Sequence, residues 1–342
     1  SETFTWSSPG FDLNDMGYMK ETDYLMNETE IMYRQTDIWK IFRYNAFTLS
    51  QKNMWNYGGT PFSNNASLRW QSMTMNRYEW DVKETFAWNW LDSRLLRGGP
   101  DVRFGSYFLT SAKFNTDKAK RMMFMLKYEG DHNFEGNRFN TISPSLTFRL
   151  GNHVYLSGQL DYAWNTDEMQ YVATTSPLSS SSLTPYYYVM GHMDQKTYGL
   201  TLKLQVNVTP DISIQFYGAP FTSIAKYDDF KLAADTKSHT FENRFQRIDP
   251  DHLTYADGVY TIGEGAGQMP FRNPDFRFNE FRSNLVARWE YLPGSTLYFV
   301  WEHRMSNRDN WYSSGWGSNL DRMWGLPATN TFMIKMNYWF NL

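Results

Sequence analysis

The chain has 342 residues, a formal net charge of −3, no cysteine, and an aromatic content of 18%, with 14 Trp, 23 Tyr and 25 Phe. That charge carries no polycationic footprint for nucleic acid, and the lack of cysteine excludes disulfides and thiolate metal ligands. Mean hydropathy is −0.61, and no run approaches the ~18 consecutive apolar residues of a membrane-spanning helix.

A polar average with this many aromatics suits two architectures. One is a soluble all-β sandwich. The other is a transmembrane β-barrel, in which alternate residues meet lipid and aromatics gather at the two interfaces.

Ser1 to Ser8, with Phe4 and Trp6, reads as the outer end of an upward strand. Strands are predicted near 21–35, 38–56, 64–76 and 79–94; in the last of these Val82, Phe86, Trp88 and Trp90 share a face that Glu84 interrupts. The following connection, 93–103, contains Arg97-Gly98-Gly99-Pro100. This run is a candidate constriction if the loop folds inward, and otherwise a tight loop needing glycine at unusual dihedrals. It lacks the lysine and following helix of a phosphate loop.

Strands near 104–115, 119–130, 137–150 and 152–176 come next, each alternating apolar with polar. The clearest alternation lies within 186–208. There Tyr198, Leu200, Leu202, Leu204, Val206 and Val208 oppose Thr197, Gly199, Thr201, Lys203, Gln205 and Asn207. Thr209-Pro210-Asp211 turns the chain into 211–224. The long connection 225–277 holds Asp228-Asp229, His239, Glu242, Asp249, Asp251-His252 and Asp257-Gly258. Its spacings match neither HExxH nor an EF-hand loop, so solvated loop polarity is the better reading. A loop of that length usually has a use, and a plug or cap over a lumen is the expectation.

Strands near 279–291 and 295–304 flank Pro293-Gly294. The connection 305–330 carries Trp311, Tyr312 and Trp316, candidates for surface aromatic contacts, and a last strand covers 331–341.

The connections alternate in length. Short ones fall at Thr36-Asp37, Asn76 to Glu79, Thr116-Asp117, Gly151-Asn152, Thr209-Pro210-Asp211 and Pro293-Gly294; long ones fall near 57–65, 93–103, 130–137, 177–185, 225–277 and 305–330. Such asymmetry marks an outer-membrane barrel, with short turns in the periplasm and long loops outside. Counting back from the last strand gives thirteen, and even parity demands an upward strand before residue 21. About 14 strands are therefore visible, and the chain is expected to be part of a larger barrel if Ser1 to Ser8 is only a strand's tail.

The polar face carries Arg149, Asp161, Lys203, Arg288, Glu290, Glu302, Arg304 and Lys335. In a barrel these line the lumen. Arg288 and Glu302 are expected to pair across the Pro293-Gly294 turn. No catalytic constellation, metal set or cofactor motif stands out.

Four stretches resemble a known family: SPGFDLNDMGYM at 8–19, RGGPDVRFG at 97–105, HMDQKTYGLTLKLQVNVTPDISIQFYGAPF at 192–221, and NPDFRFNEFRSNLVARWEYLPGSTLYFVWEH at 273–303. They are similar to the C-terminal barrel region of the DUF5916 family of Bacteroidota outer-membrane proteins. In that family the barrel usually follows a domain resembling a family 9 carbohydrate-binding module, which this chain lacks. The resemblance supplies no catalytic residues.

The expected fold class is all-β, a transmembrane antiparallel β-barrel in the bacterial outer membrane. Expected partners are the lipid bilayer, lipopolysaccharide and envelope proteins, with no nucleic acid and no cofactor. The expected role is a porin-like channel or the membrane component of an envelope transport assembly. The alternative is a non-conducting scaffold for partner proteins or for an extracytoplasmic carbohydrate-binding domain. An enzyme is not expected.

Overall fold

The computed structural model describes residues 1–12, 22–88, 90–178, 186–309 and 316–340, apart from the side chains of Phe62, Ala266, Trp316 and Leu320. In chain order the strands begin with β1 (Glu2–Ser7), β2 (Tyr24–Gln35), β3 (Phe42–Trp55), β4 (Pro61–Thr74), β5 (Glu79–Trp88), β6 (Trp90–Asp92) and β7 (Val102–Phe104). They continue through β8 (Tyr107–Asn115), β9 (Met122–Asn133), β10 (Arg138–Leu150), β11 (Val154–Thr175), β12 (Tyr187–Asn207) and β13 (Ile212–Ala233). Helix α1 (Phe241–Arg244), β14 (Phe245–Arg247), β15 (Leu253–Ala256), β16 (Val259–Ile262) and β17 (Met269–Arg272) precede β18 (Phe276–Leu292) and β19 (Ser295–Asp309). Helix α2 (Trp316–Trp324) and β20 (Ala328–Asn337) end the described chain.

One antiparallel sheet dominates, in the order β1-β2-β3-β4-β5-β8-β9-β10-β11-β12-β13-β18-β19-β20. Every step joins strands that follow one another along the sheet path, so the period-two runs zip up as an up-and-down meander. Thirteen of these fourteen strands answer to those expected from alternation, and β1 to the one expected from even parity. The expected closure is not seen: β1 pairs only with β2, and β20 only with β19, among the described residues. The structure therefore establishes an open, all-β antiparallel sheet.

Register aligns the two faces across the sheet. Leu160 opposes Leu200, Leu204 opposes Phe216, Phe216 opposes Leu285, Leu285 opposes Trp301, and Trp301 opposes Phe332. At the other end Ile31 opposes Leu49, which opposes Leu68. On this face several large side chains are exposed, Leu49 at 53%, Leu160 at 50% and Ile334 at 72%, while Leu200, Leu204, Phe216, Leu285 and Trp301 are half-buried. On the polar face the small residues are covered, Thr48, Ser67, Thr85, Ser143 and Thr147 all being buried, whereas the charged Arg149, Lys203, Glu302 and Arg304 are exposed. A soluble sandwich has the opposite arrangement.

At the long-loop end, β11, β12 and β13 outrun their neighbours. The strand expected at 211–224 does not stop at 224: β13 continues to Ala233. The alternation fails there for a physical reason. Bulges interrupt the register between Asp167 and Gln170, between Tyr171 and Ala173, and between Met190 and His192, and Asp229 takes a φ of 44°. Beyond the bulges both faces of the three-stranded extension are apolar. Val189, Met193, Phe230, Ile262 and Phe271 form one buried cluster; Leu96, Val102, Met169, Met190 and Phe245 form another. Adjacent residues Val189 and Met190 join different clusters, so the extension is covered on its two faces.

The covering layers come from loops. A small sheet, β15-β16-β17, packs on one side, its first hairpin turned by Asp257 and Gly258 at φ of 50° and 79°. The β6–β7 pair and the α1–β14 segment supply the other side. Together they form a cap.

Candidate functional site

The eight charged residues expected on a lumen all lie on the polar face. Arg149 opposes Tyr155 and Tyr155 opposes Gln205; Lys203 opposes Ser157 and Tyr217; Tyr217 opposes Asn284, and Asn284 opposes Glu302. Tyr298 opposes both Arg288 and Lys335, while Glu290, Arg304 and Asp161 share these rows by even spacing.

Their partners differ from expectation. Arg288 faces Tyr298 rather than Glu302, so the expected cross-strand pair is not formed. Arg288 instead reaches along its own strand to Glu290 at 2.6 Å, and Glu290 accepts a bond from the Gly294 backbone N–H at 3.0 Å. The turn sets this outcome: with Leu292 opposite Ser295, Arg288 faces Tyr298 and Glu302 faces Asn284, about two pleats away. Arg304 pairs with Glu280 at 3.0 Å, and Arg282 reaches the same carboxylate at 2.8 Å. Asp161 accepts from the Ser143 hydroxyl at 2.6 Å and from the Gln159 amide at 2.9 Å. Arg149 donates to the Lys118 carbonyl at 3.1 Å, tying two short turns together.

The same face holds pairs that alternation did not single out. Arg69 donates to Asp81 through Nε at 2.8 Å, and Gln71 joins them at 3.2 Å. Lys127 meets Glu129 at 2.7 Å. Many charges on this surface are thus locally compensated, so it presents a mixed-sign, water-compatible wall rather than a field of one sign.

The cap stands at the long-loop end, and its centre is Arg244. This side chain is 1% exposed. Its guanidinium donates to both Glu135 oxygens, at 2.6 and 3.0 Å, and to the carbonyls of Ser238 at 2.8 Å and Arg103 at 2.7 Å. Glu135 also accepts from the Gly105 N–H at 2.9 Å. A planar fork meeting a carboxylate in this way is the strong form of ion pair. It ties together three loops: the one before β8, the β9–β10 hairpin, and the start of the β13–β18 connection. A backbone bond from Arg103 N–H to the Thr236 carbonyl at 2.9 Å, and a side-chain bond from the Thr236 hydroxyl to the Asp101 carbonyl at 2.7 Å, reinforce the join.

Lys231 is buried beside Arg244. It lies 3.4 Å from an Asp229 oxygen, with the Phe241 and Phe245 rings at 5.6 and 5.7 Å. A carboxylate and two aromatic faces compensate the buried ammonium. Sequence reasoning missed Arg244, Glu135 and Lys231. Arg244 and Glu135 are 109 positions apart, and neither carries a local signal of its partner.

The run Arg97-Gly98-Gly99-Pro100 lies at the surface of this cap, between the buried Leu96 and Val102. Arg97 and Gly98 have φ of 49° and 102°, and the Arg97 guanidinium lies 4.5 Å from the centre of the Tyr171 ring. A Cβ added to Gly99 would come within 2.6 Å of the Tyr188 ring. The glycines are needed for backbone shape and close approach.

Among the polar residues of the long connection, Asp275 accepts from the Tyr227 N–H at 2.7 Å. Burial raises its carboxyl above the ordinary value, a shift opposed by that bond and by Asn273. Among the described residues no group of three or more His, Asp or Glu side chains is placed to hold a metal. Trp311 and Tyr312 lie outside the described residues, as does the side chain of Trp316.

The profile of a family described as "Domain of unknown function (DUF5916)" matches residues 2–342. The chain belongs to the DUF5916 family. No curated protein and no solved structure matches this DUF5916 chain.

Proposed function

We propose that the DUF5916 chain is the membrane-embedded part of a β-barrel in the bacterial outer membrane. Its apolar face meets lipid and its polar face lines a water-filled interior. The observation that carries this reading is the inversion of burial, with large apolar side chains outward on strand after strand and small polar ones covered. An exposed apolar surface of this extent needs a partner, and a bilayer contacts every strand alike.

Two further features support it. Aromatics mark both ends of the apolar band: Tyr162 stacks on Trp164 and Tyr198 towards the long loops, and Trp80 meets Phe114 at 4.4 Å towards the short turns. Arg103 and Thr236 also touch although strands β8 to β13 intervene. At ~4.8 Å per strand a flat sheet would hold those segments roughly 24 Å apart, whereas a curled sheet brings them together.

The activity we propose is passive, a porin-like path in which the compensated polar wall solvates a solute and the loops select by size. No chemical step is involved. A second reading is favoured by the cap. Loops locked by Arg244 and Glu135 over one end suit a non-conducting scaffold that presents the cap to envelope partners, and lipopolysaccharide would be the outer-leaflet lipid around it.

The purified protein should run as a compact band on unheated denaturing gels and shift on boiling. A lipid-free monomer without that shift overturns the membrane reading. Planar-bilayer recording then separates the two roles, since steps of conductance support the channel and a persistently silent barrel supports the scaffold.

A further inference from the structure

Helix α2 lies in an unexpected place. It connects β19 to β20 at the long-loop end, where an outer loop belongs, yet it packs on the apolar face of the sheet. Arg277 and Phe281 of β18 contact it, the first through Asn319 at 3.4 Å and the second through Trp324 with ring centres 4.9 Å apart. Both residues are on the face of Leu285, Ala287 and Trp289, which is the face of the exposed apolar band.

Beneath α2 the band is broken by polar groups. Thr222 opposes Asn279 and donates to its side-chain carbonyl at 3.0 Å; Arg277 pairs with Asp309. Thr222, Arg277 and Asn279 are each at most 2% exposed. On α2 itself Asn319 and Met323, one turn apart, are fully buried, whereas Gly317, Asp321, Arg322 and Trp324 face outward. The helix is therefore amphipathic, with its inner stripe closing a polar window in the apolar face.

Register places it beside the upper aromatic cluster. Thr222 opposes Tyr198, and Tyr198 opposes Tyr162. The helix thus stands on the row of the upper aromatic cluster, and takes the place of that cluster across β13, β18 and β19.

We propose that α2 is an interfacial helix that contacts the headgroup layer of the outer leaflet. Trp324, 56% exposed, sits at the boundary where its ring and N–H are both satisfied. Arg322 and Asp321 face the headgroups, and the buried side of the helix keeps Arg277 and Asn279 from hydrocarbon, where unsatisfied polar groups are costly. The occupant of this surface is a lipid headgroup layer because the helix continues the apolar band in the same row.

This inference rests on the membrane reading, so the test separates the two. The chain has no cysteine, so single fluorophores can be placed through Arg322→Cys, Leu160→Cys and Tyr255→Cys, with Asp321→Cys as a second probe of α2. The proteins are reconstituted into phosphatidylcholine vesicles carrying nitroxides either on the headgroup or deep in the acyl chain. Labels at Arg322 and Asp321 should be quenched several-fold more by the headgroup nitroxide than by the deep one. Leu160 should show the reverse order, and Tyr255, on the cap, neither. If Leu160 is quenched and the α2 labels are untouched, or respond more to the deep probe, the helix assignment is overturned and the barrel stands. If Leu160 is also untouched, the membrane reading falls and takes this inference with it.

Discussion

The body of the sheet and the cap obey opposite burial rules within one chain. In the body, Leu49, Leu68, Leu160 and Ile334 are exposed while Ser67 and Ser143 are covered. In the cap, Val189, Met190, Met169 and Phe230 are sealed between layers, as in any water-soluble core. Strands β11, β12 and β13 pass through both regions, and the bulges near 167–173 and 190–192 mark the border. The same backbone ladder thus carries two burial patterns, one on each side of the bulges.

The comparison can be broken first at the cap. Replacing Arg244 with Ala leaves Glu135 with only the Gly105 N–H and takes a donor from the Ser238, His239 and Arg103 carbonyls. Loss of one partner of a buried pair costs about 3–5 kcal/mol. Proteolysis and amide exchange should show residues 234–275 opening by that amount, while the heat-modifiable band of the body stays.

The second test lies in the body. Leu160→Arg at a half-exposed position should be near neutral if that face meets water. If it meets lipid, Arg is destabilising, by about 2–4 kcal/mol at the bilayer midplane and less towards the aromatic row of Tyr162, one pleat away. Denaturant unfolding from vesicles reads the difference, and a neutral result would sink the inversion as a membrane signature.

A smaller effect is expected from Gly99→Ala. The new methyl group meets the Tyr188 ring in a packed layer, and overpacking of that kind costs about 1–3 kcal/mol. Cap opening by amide exchange should increase with no change in the body.

The smallest is a pH effect at Asp275. Its carboxyl is held above the unfolded value of ~3.9 chiefly by burial. The folded form therefore favours the proton, so its contribution to cap stability is full below the unfolded value and is lost as pH rises through the folded one. Asp275→Asn keeps an acceptor for the Tyr227 N–H and removes this dependence. Cap opening at pH 7 should be slightly rarer in the variant than in the parent, and the gap should narrow towards pH 4. A gap that widens on acidification would contradict the assigned direction.

Legibility followed the range of the interactions. The strand order around Tyr198 to Val208 and the Thr209-Pro210-Asp211 turn were readable because a period of two and a short connection are local properties. The charges at Arg149, Asp161 and Lys203 could be assigned to one face by the same rule. Their partners could not, as Arg288 shows: the tight Pro293-Gly294 turn sets Arg288 opposite Tyr298, four residues from Glu302, and the ion pair forms along the strand with Glu290 instead.

The sequence by itself determined the all-β class, the fourteen alternating strands and the division into short-turn and long-loop ends. All of these depend on residues a few positions apart. Only the tertiary structure decided that β13 runs on to Ala233, that Arg244 locks to Glu135, and that α2 turns back onto the apolar face. Each of those depends on groups brought together across many strands, where bulges reset the alternation and distant loops supply the missing donors and acceptors.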